Sequence, residues 1–175
     1  MLAAEIRHKR VERMRAFTHW RWHLDEVYVK IGGEMHYLWR AVDHEGEVLE
    51  SFATKERDKA AALKFMKKLM GRHGHANAIT TGALRSYKAA MKELSNAEKQ
   101  EIGRWANNRV ENSHLPFRRR ERAINRFRRM KTLQKFGSVH ASLHNLFNQE
   151  RHLVSREIYK ERRAAALAAW RSVMA

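Results

Sequence analysis

Trp22-His23-Leu24-Asp25-Glu26-Val27-Tyr28-Val29-Lys30-Ile31-Gly32-Gly33-Glu34-Met35-His36-Tyr37-Leu38-Trp39-Arg40-Ala41-Val42 is the stretch that decides the fold. Its β-branched and aromatic residues alternate with polar ones on either side of a Gly-Gly pair. That pattern predicts two antiparallel strands, Trp22 to Ile31 and Met35 to Val42, joined by a two-residue turn. Asp43-His44-Glu45-Gly46 supplies the next turn, and Glu47 to Thr54 completes a three-strand meander.

Working outward, Asp58 is placed to cap a helix whose apolar stripe is Leu63, Met66, Leu69 and Met70. Ala78 to Thr81 reads as a buried strand. Because it follows a crossover helix, it is expected to pair in parallel with the meander. A second helix carries Leu84, Tyr87, Met91 and Leu94, and Ile102 to Trp105 is expected as a fifth, edge strand. Pro116 suggests that the next helix begins or kinks near Ser113 to Pro116. Leu133, Phe136, Val139, Leu143 and Phe147 mark an amphipathic helix, and a last one runs from about Ser155 to Val173. Upstream, residues 3–17 read as a charged helix. The fold class is therefore α/β, a mixed sheet flanked by helices. The organisation expected is a linker helix over 1–17, a core over 18–130, and a helical extension over 131–175 packed on that core.

Composition narrows the function. Lys and Arg number 36 against 19 Asp and Glu in 175 residues, a formal charge of +17, so a polyanionic partner is favoured. Between Arg109 and Lys131 nine basic residues face only Glu111 and Glu121. Arginine dominates, which suits forked hydrogen bonding to phosphate. Arg109, Arg118, Arg119, Arg120, Arg122, Arg126, Arg128 and Arg129 are the candidate nucleic-acid contacts. The absence of cysteine excludes disulfides, cysteine zinc sites and thiol catalysis. No apolar run approaches a membrane span, no membrane partner is expected, and the charged start carries no export signal.

Two acids stand out. Strand alternation puts Asp25 on the face of Val27, Val29 and Ile31. A charge there needs a cation, a metal or a proton, or else the side chain reaches solvent or an arginine. Glu111 lies in Asn107-Asn108-Arg109-Val110-Glu111-Asn112-Ser113-His114, and by itself reads as a solvated or capping residue. The histidines do not announce a dedicated zinc site: His140 and His144 are one turn apart without the HExxH glutamate, and His73-Gly74-His75 reads as loop. The cluster His19-Trp20-Arg21-Trp22-His23 reads as a shield for the sheet edge, Tyr87 as core, and Arg85 and Lys88 as possible phosphate contacts.

The strand Trp22 to Val29, the runs Tyr37-Leu38-Trp39-Arg40-Ala41-Val42-Asp43 and Asn107 to His114, and Arg118-Arg119-Arg120-Glu121-Arg122 together resemble bacterial insertion-sequence transposases of the D-D-E type. The resemblance is to the family founded on insertion sequence six, and extends over roughly Ala4 to Trp170. It implies a ribonuclease-H-like core in which three carboxylates hold divalent ions, usually Mg²⁺, for phosphoryl transfer on DNA. On that basis Asp25 is the first acid and Glu111 the third, both catalytic and metal-binding. The second acid should stand where this chain has Gly82, in Ile79-Thr80-Thr81-Gly82. Asp25, Asp43 and Asp58 are the chain's three aspartates, so none lies further on to replace it, and Asp43 reads as a turn residue.

The expectation is a DNA-binding transposase core with weakened Mg²⁺ binding and impaired catalysis. The resemblance further implies a core truncated before the end-recognition region. The alternative is a non-enzymatic DNA- or RNA-binding remnant, or an inhibitory partner of an intact transposase. Self-association or mixed oligomers, and a bacterial cytoplasmic, nucleoid-associated location, complete the expectation.

Overall fold

The computed structural model describes residues 21–82, 84–103, 107–124, 127–147 and 155–174. The charged helix expected over residues 3–17 lies outside them, as do His19 and Trp20. The meander is present: β1 (Arg21–Ile31), β2 (Glu34–Asp43) and β3 (Val48–Thr54) pair antiparallel. Gly32 and Gly33 form the hairpin turn at φ +57° and +94°, the left-handed conformations that a tight two-residue connection requires. Helix α1 (Lys59–His73) follows, with Asp58 accepting from the Ala61 N–H at 2.8 Å as its cap. Then β4 (Ala78–Thr81) returns parallel to β1. After α2 (Arg85–Glu93), a two-residue β5 (Gln100–Glu101) pairs parallel to β4. The sheet order is β3-β2-β1-β4-β5.

Each strand divides its residues between two layers. On one side Trp22, Leu24 and Trp39 meet Phe65, Met66 and Leu69 of α1 and Tyr87 and Met91 of α2. On the other, Val27, Val29, Ile31 and Leu38 pack against Phe117 of α3 (Asn108–Ala123) and Leu133 of α4 (Met130–Phe147). Helix α5 (Arg156–Met174) meets α4 through Phe147 and Trp170, whose ring centroids are 6.4 Å apart. Among the described residues, no helix is long and apolar enough to cross a membrane.

Four sequence expectations need correction. The described edge strand is Gln100–Glu101 and ends before Ile102, which is exposed, while the Arg104 and Trp105 end of the expected strand lies outside the described residues. Trp22 and His23 do not shield an edge: β1 is the central strand, and both side chains are buried. Helix α3 starts at Asn108 and carries Pro116 in its interior. Its loss of one N–H is offset by burial of Val110, Ser113 and Phe117 on either side. On α4, Val139 and Phe147 face outward, while Leu133, Gly137, His140 and Ala141 make the buried stripe. Gly137 permits this approach, since a β-carbon there would stand 3.3 Å from Leu38 Cδ1.

Strand β3 is the outer edge of the sheet, yet α4 occupies its free backbone groups. Gln134 accepts from the Ala53 N–H and donates to the Ser51 carbonyl, both at 2.8 Å. Asn145 accepts from the Val48 N–H at 2.8 Å and donates to its carbonyl at 2.7 Å. The spacing fits: eleven helical residues and five strand residues each advance about 16 Å. Two side-chain amides thus take the place of a sixth strand.

Candidate active site

Asp25 sits mid-strand on the face covered by α3, directly opposite Arg40 in the β1–β2 register. Parallel pairing of Leu24 with Thr81, the last residue of β4, brings the residue that follows it, Gly82, beside Asp25. A β-carbon on Gly82 would lie 3.6 Å from Asp25 Oδ1, with Asn107 Nδ2 at 4.0 Å. The backbone there is not left-handed, so the glycine is not demanded by conformation.

Helix α3 brings the other residues. Asn107 at its start makes no cap bond. Its Nδ2 instead donates to the Leu24 carbonyl at 3.1 Å, tying the helix end to the strand one residue before Asp25. Glu111 is in the first turn, near enough for its charge to act on Asp25. His114, one turn on, places Nδ1 3.8 Å from Asp25 Oδ2, beyond hydrogen-bond length. Burial pushes the Asp25 carboxyl up to about 7, with the Glu26 and Glu111 charges adding to it. Burial pushes the His114 imidazole down to about 3, helped by Arg40 and Arg118, so the ring is neutral at pH 7.

Arg40 is the feature sequence reasoning missed. Its side chain is fully buried, stacks over the Phe117 ring at 5.5 Å, and finds no hydrogen-bond acceptor among the described residues. Burial lowers its pKa to about 10, which leaves it charged at pH 7. A clue was available: alternation puts the residue opposite Asp25 on the same face. Nothing local in the sequence marks His114 and Asn107 as neighbours of a strand some eighty residues away.

The expected arginines divide. Arg119, Arg120, Arg122, Arg128 and Arg129 are exposed; Arg118 is half-buried and bonds Glu121 at 2.6 Å; Arg109 is exposed on α3. Arg126 lies outside the described residues. Tyr87 is buried as expected, and Arg85 and Lys88 are exposed. Asp43 serves its turn, accepting the N–H groups of Glu45 and Glu47 at 2.9 Å each. Among the described residues, Asp43, Glu45 and Glu47 are the one trio of potential ligands within 4.8 Å of each other.

A pair of divalent ions clamped by three acids does not fit this pocket. It offers two carboxylates, a glycine where a third would project, and a buried guanidinium behind. Four positive charges there would be poorly compensated.

Three comparisons bear on this geometry. A family model described as "DDE domain" matches residues 19–150. A Staphylococcus aureus protein named transposase for insertion sequence-like element IS431mec is 33% identical over 102 residues, covering 55% of this chain and 46% of that protein. The S. aureus transposase for insertion sequence element IS257 in transposon Tn4003 matches with the same identity and coverage. The chain thus spans about half the length of these curated relatives. Among solved structures, the HTLV-2 integrase catalytic core domain in complex with magnesium, in its dimeric form, is similar. Its TM-score is 0.55 at 14% identity, over 76% of this chain and 88% of that one. The BIV integrase catalytic core domain gives 0.51 at 15% identity, over 77% and 86%. At such identities the likeness establishes the fold, a mixed five-stranded sheet flanked by helices of the ribonuclease-H-like kind.

Proposed function

Because the chain belongs to the DDE domain family of insertion-sequence transposases, we propose that it is a DNA-binding transposase core whose phosphoryl-transfer centre lacks one acid. The observation that carries this reading is the Gly82 β-position, 3.6 Å from Asp25 Oδ1. Asp25 and Glu111 are the retained acids and would face a divalent cation, which when bound supplies charge stabilisation at phosphorus. Without a carboxylate at 82 the pocket holds such an ion weakly, and strand cleavage is impaired. Loss of even an outer-shell partner commonly costs about 10- to 100-fold.

DNA binding rests on different residues. Arg118 and Arg122 follow Glu111 by seven and eleven positions, two and three turns along the same edge of α3. Exposed Arg119, Arg120, Arg128 and Arg129 extend the positive surface away from the acids. A phosphate backbone lying along this edge passes the pocket. The binding is sequence-independent and salt-sensitive. Self-association, or mixed association with an intact transposase, belongs to the same proposal and is tested by sedimentation.

The test is Mg²⁺-dependent nicking of duplex DNA by the native chain and by Gly82→Asp, alongside binding measured across salt concentrations. The native chain is expected to bind and to nick at least ~100-fold more slowly than the variant. Equal nicking by the two would contradict the reading.

A further inference from the structure

We propose that Leu115 is a wedge for nucleic-acid bases. Its side chain enters the base stack of DNA lying along α3, so the chain prefers duplex with unpaired bases beside the pocket to continuous duplex. The proposal deepens the reading of α3 as the DNA-bearing edge and rests on it.

Leu115 is a large apolar side chain left 56% exposed on α3, whose buried face is Val110, Ser113 and Phe117. At 3.6 residues per turn, Glu111, Leu115, Arg118 and Arg122 fall within an arc of about 60°. Leu115 thus stands in the row that runs from a pocket acid to the arginines. Arg118, Arg119 and Arg122 follow it by three, four and seven residues, one and two turns on. Arg118 lies about 4.5 Å further along the axis, little more than the ~3.4 Å advance per nucleotide of one DNA strand. With a phosphate on Arg118, Leu115 is level with an adjacent base. Its neighbour His114 reaches into the pocket, placing Nδ1 3.8 Å from Asp25 Oδ2.

A single exposed leucine is ordinary; its surroundings select the occupant. The other exposed positions from Asn108 to Ala123 are polar, charged or alanine. Ile124, exposed at the helix end, is nine residues on and about 180° around the axis. A protein partner would call for a contiguous apolar patch, which this edge lacks. Arginines around one apolar tip suit a polyanion with flat apolar bases: phosphates meet the charges, and unstacked bases cover the leucine. The wedge also serves the pocket. Asp25 is half-buried beneath the edge, whereas Leu115 stands out from it. Unstacking beside a phosphodiester lets the backbone leave the regular line of the duplex and come down to Asp25.

The experiment measures binding of the full chain, Leu115→Ala and Leu115→Phe to two DNA duplexes of equal length, one continuous and one with a short central mismatch. Each carries 2-aminopurine at the same central position, whose fluorescence rises on unstacking, and circular dichroism verifies the fold. The native chain is expected to bind the mismatched duplex at least ~5-fold more tightly than the continuous one and to raise the fluorescence. Leu115→Ala should lose at least ~5-fold on the mismatched duplex and less than about twofold on the continuous one. Its salt dependence should match that of the native chain, because the phosphate contacts remain. Leu115→Phe, which keeps an apolar wedge, should retain the preference. Three results overturn the proposal and leave α3 as the DNA edge: equal native affinity for the two duplexes, an unchanged preference in Leu115→Ala, or a parallel loss on both duplexes. If the native chain binds neither duplex, the reading of α3 fails, and the wedge with it.

Discussion

Gly82 and Asp25 are neighbours across the β1–β4 junction, close enough that a β-carbon on the first would touch the carboxylate of the second at 3.6 Å. That contact is ordinary van der Waals distance, and the Gly82 backbone is accessible to any residue. Gly82→Ala is therefore expected to fold and to change stability by no more than about 1 kcal/mol, in the stabilising direction through reduced unfolded-state entropy. Chemical denaturation checks this. A loss of several kcal/mol would mean that the glycine is structurally required.

Asn107 ties α3 to β1 through a buried hydrogen bond to the Leu24 carbonyl. Asn107→Ala removes the donor and leaves that carbonyl unsatisfied, at a cost of about 1–3 kcal/mol. Because the bond sits one residue from Asp25, the variant should also loosen the Asp25–His114 approach. Urea denaturation reads the first effect, and the chemical shifts of the His114 ring the second.

The amides that cover β3 invite a different measurement. Gln134→Ala and Asn145→Ala each free a pair of edge backbone groups. Each substitution is expected to destabilise by about 1–2 kcal/mol. The double variant should self-associate through the exposed edge, seen as concentration-dependent light scattering.

Acid sensitivity follows from His140, which packs against Phe117 and Phe136 on the inner face of α4. Burial pushes its imidazole down to about 4, with Arg40 and Arg120 reinforcing the shift and the Pro116 carbonyl opposing it. The unfolded chain takes up this proton below about 6.5, whereas the folded chain refuses it until about 4. His140 thus contributes stability above pH 6.5 that is lost as pH falls from there to 4. His140→Leu should flatten the unfolding midpoint over that interval, and an unchanged pH profile would remove His140 as its cause.

Arg40 shares that environment. Arg40→Met keeps length while deleting a buried charge without a described acceptor, so stability should rise or hold. The His114 and His140 pKa values should both increase, since Arg40 lowers each. Histidine NMR titration reads the shift directly.

The meander was legible because Trp22 to Val42 alternates around Gly32-Gly33, and β4 because an apolar run after a crossover helix has few other places to pair. Motif resemblance singles out Asp25, Gly82 and Glu111 as candidates, and the strand register sets Gly82 beside Asp25. What the sequence concealed depends on packing between distant elements. Pro116 suggested a helix boundary, yet burial on either side holds α3 continuous. Apolar periodicity chose Val139 and Phe147 on α4, whereas close approach to the sheet favours Gly137, His140 and Ala141. Arg40 looked like a solvated cation until α3 and α4 closed over it.

That the missing acid at position 82 weakens cation binding is tested most directly by Mg²⁺ titration of the native chain, Gly82→Asp, and Gly82→Asp combined with Asp25→Asn. The expected result is Mg²⁺ affinity at least ~10-fold tighter in Gly82→Asp, with the gain abolished by the second substitution. Equal Mg²⁺ affinity in the native chain and Gly82→Asp would contradict the account.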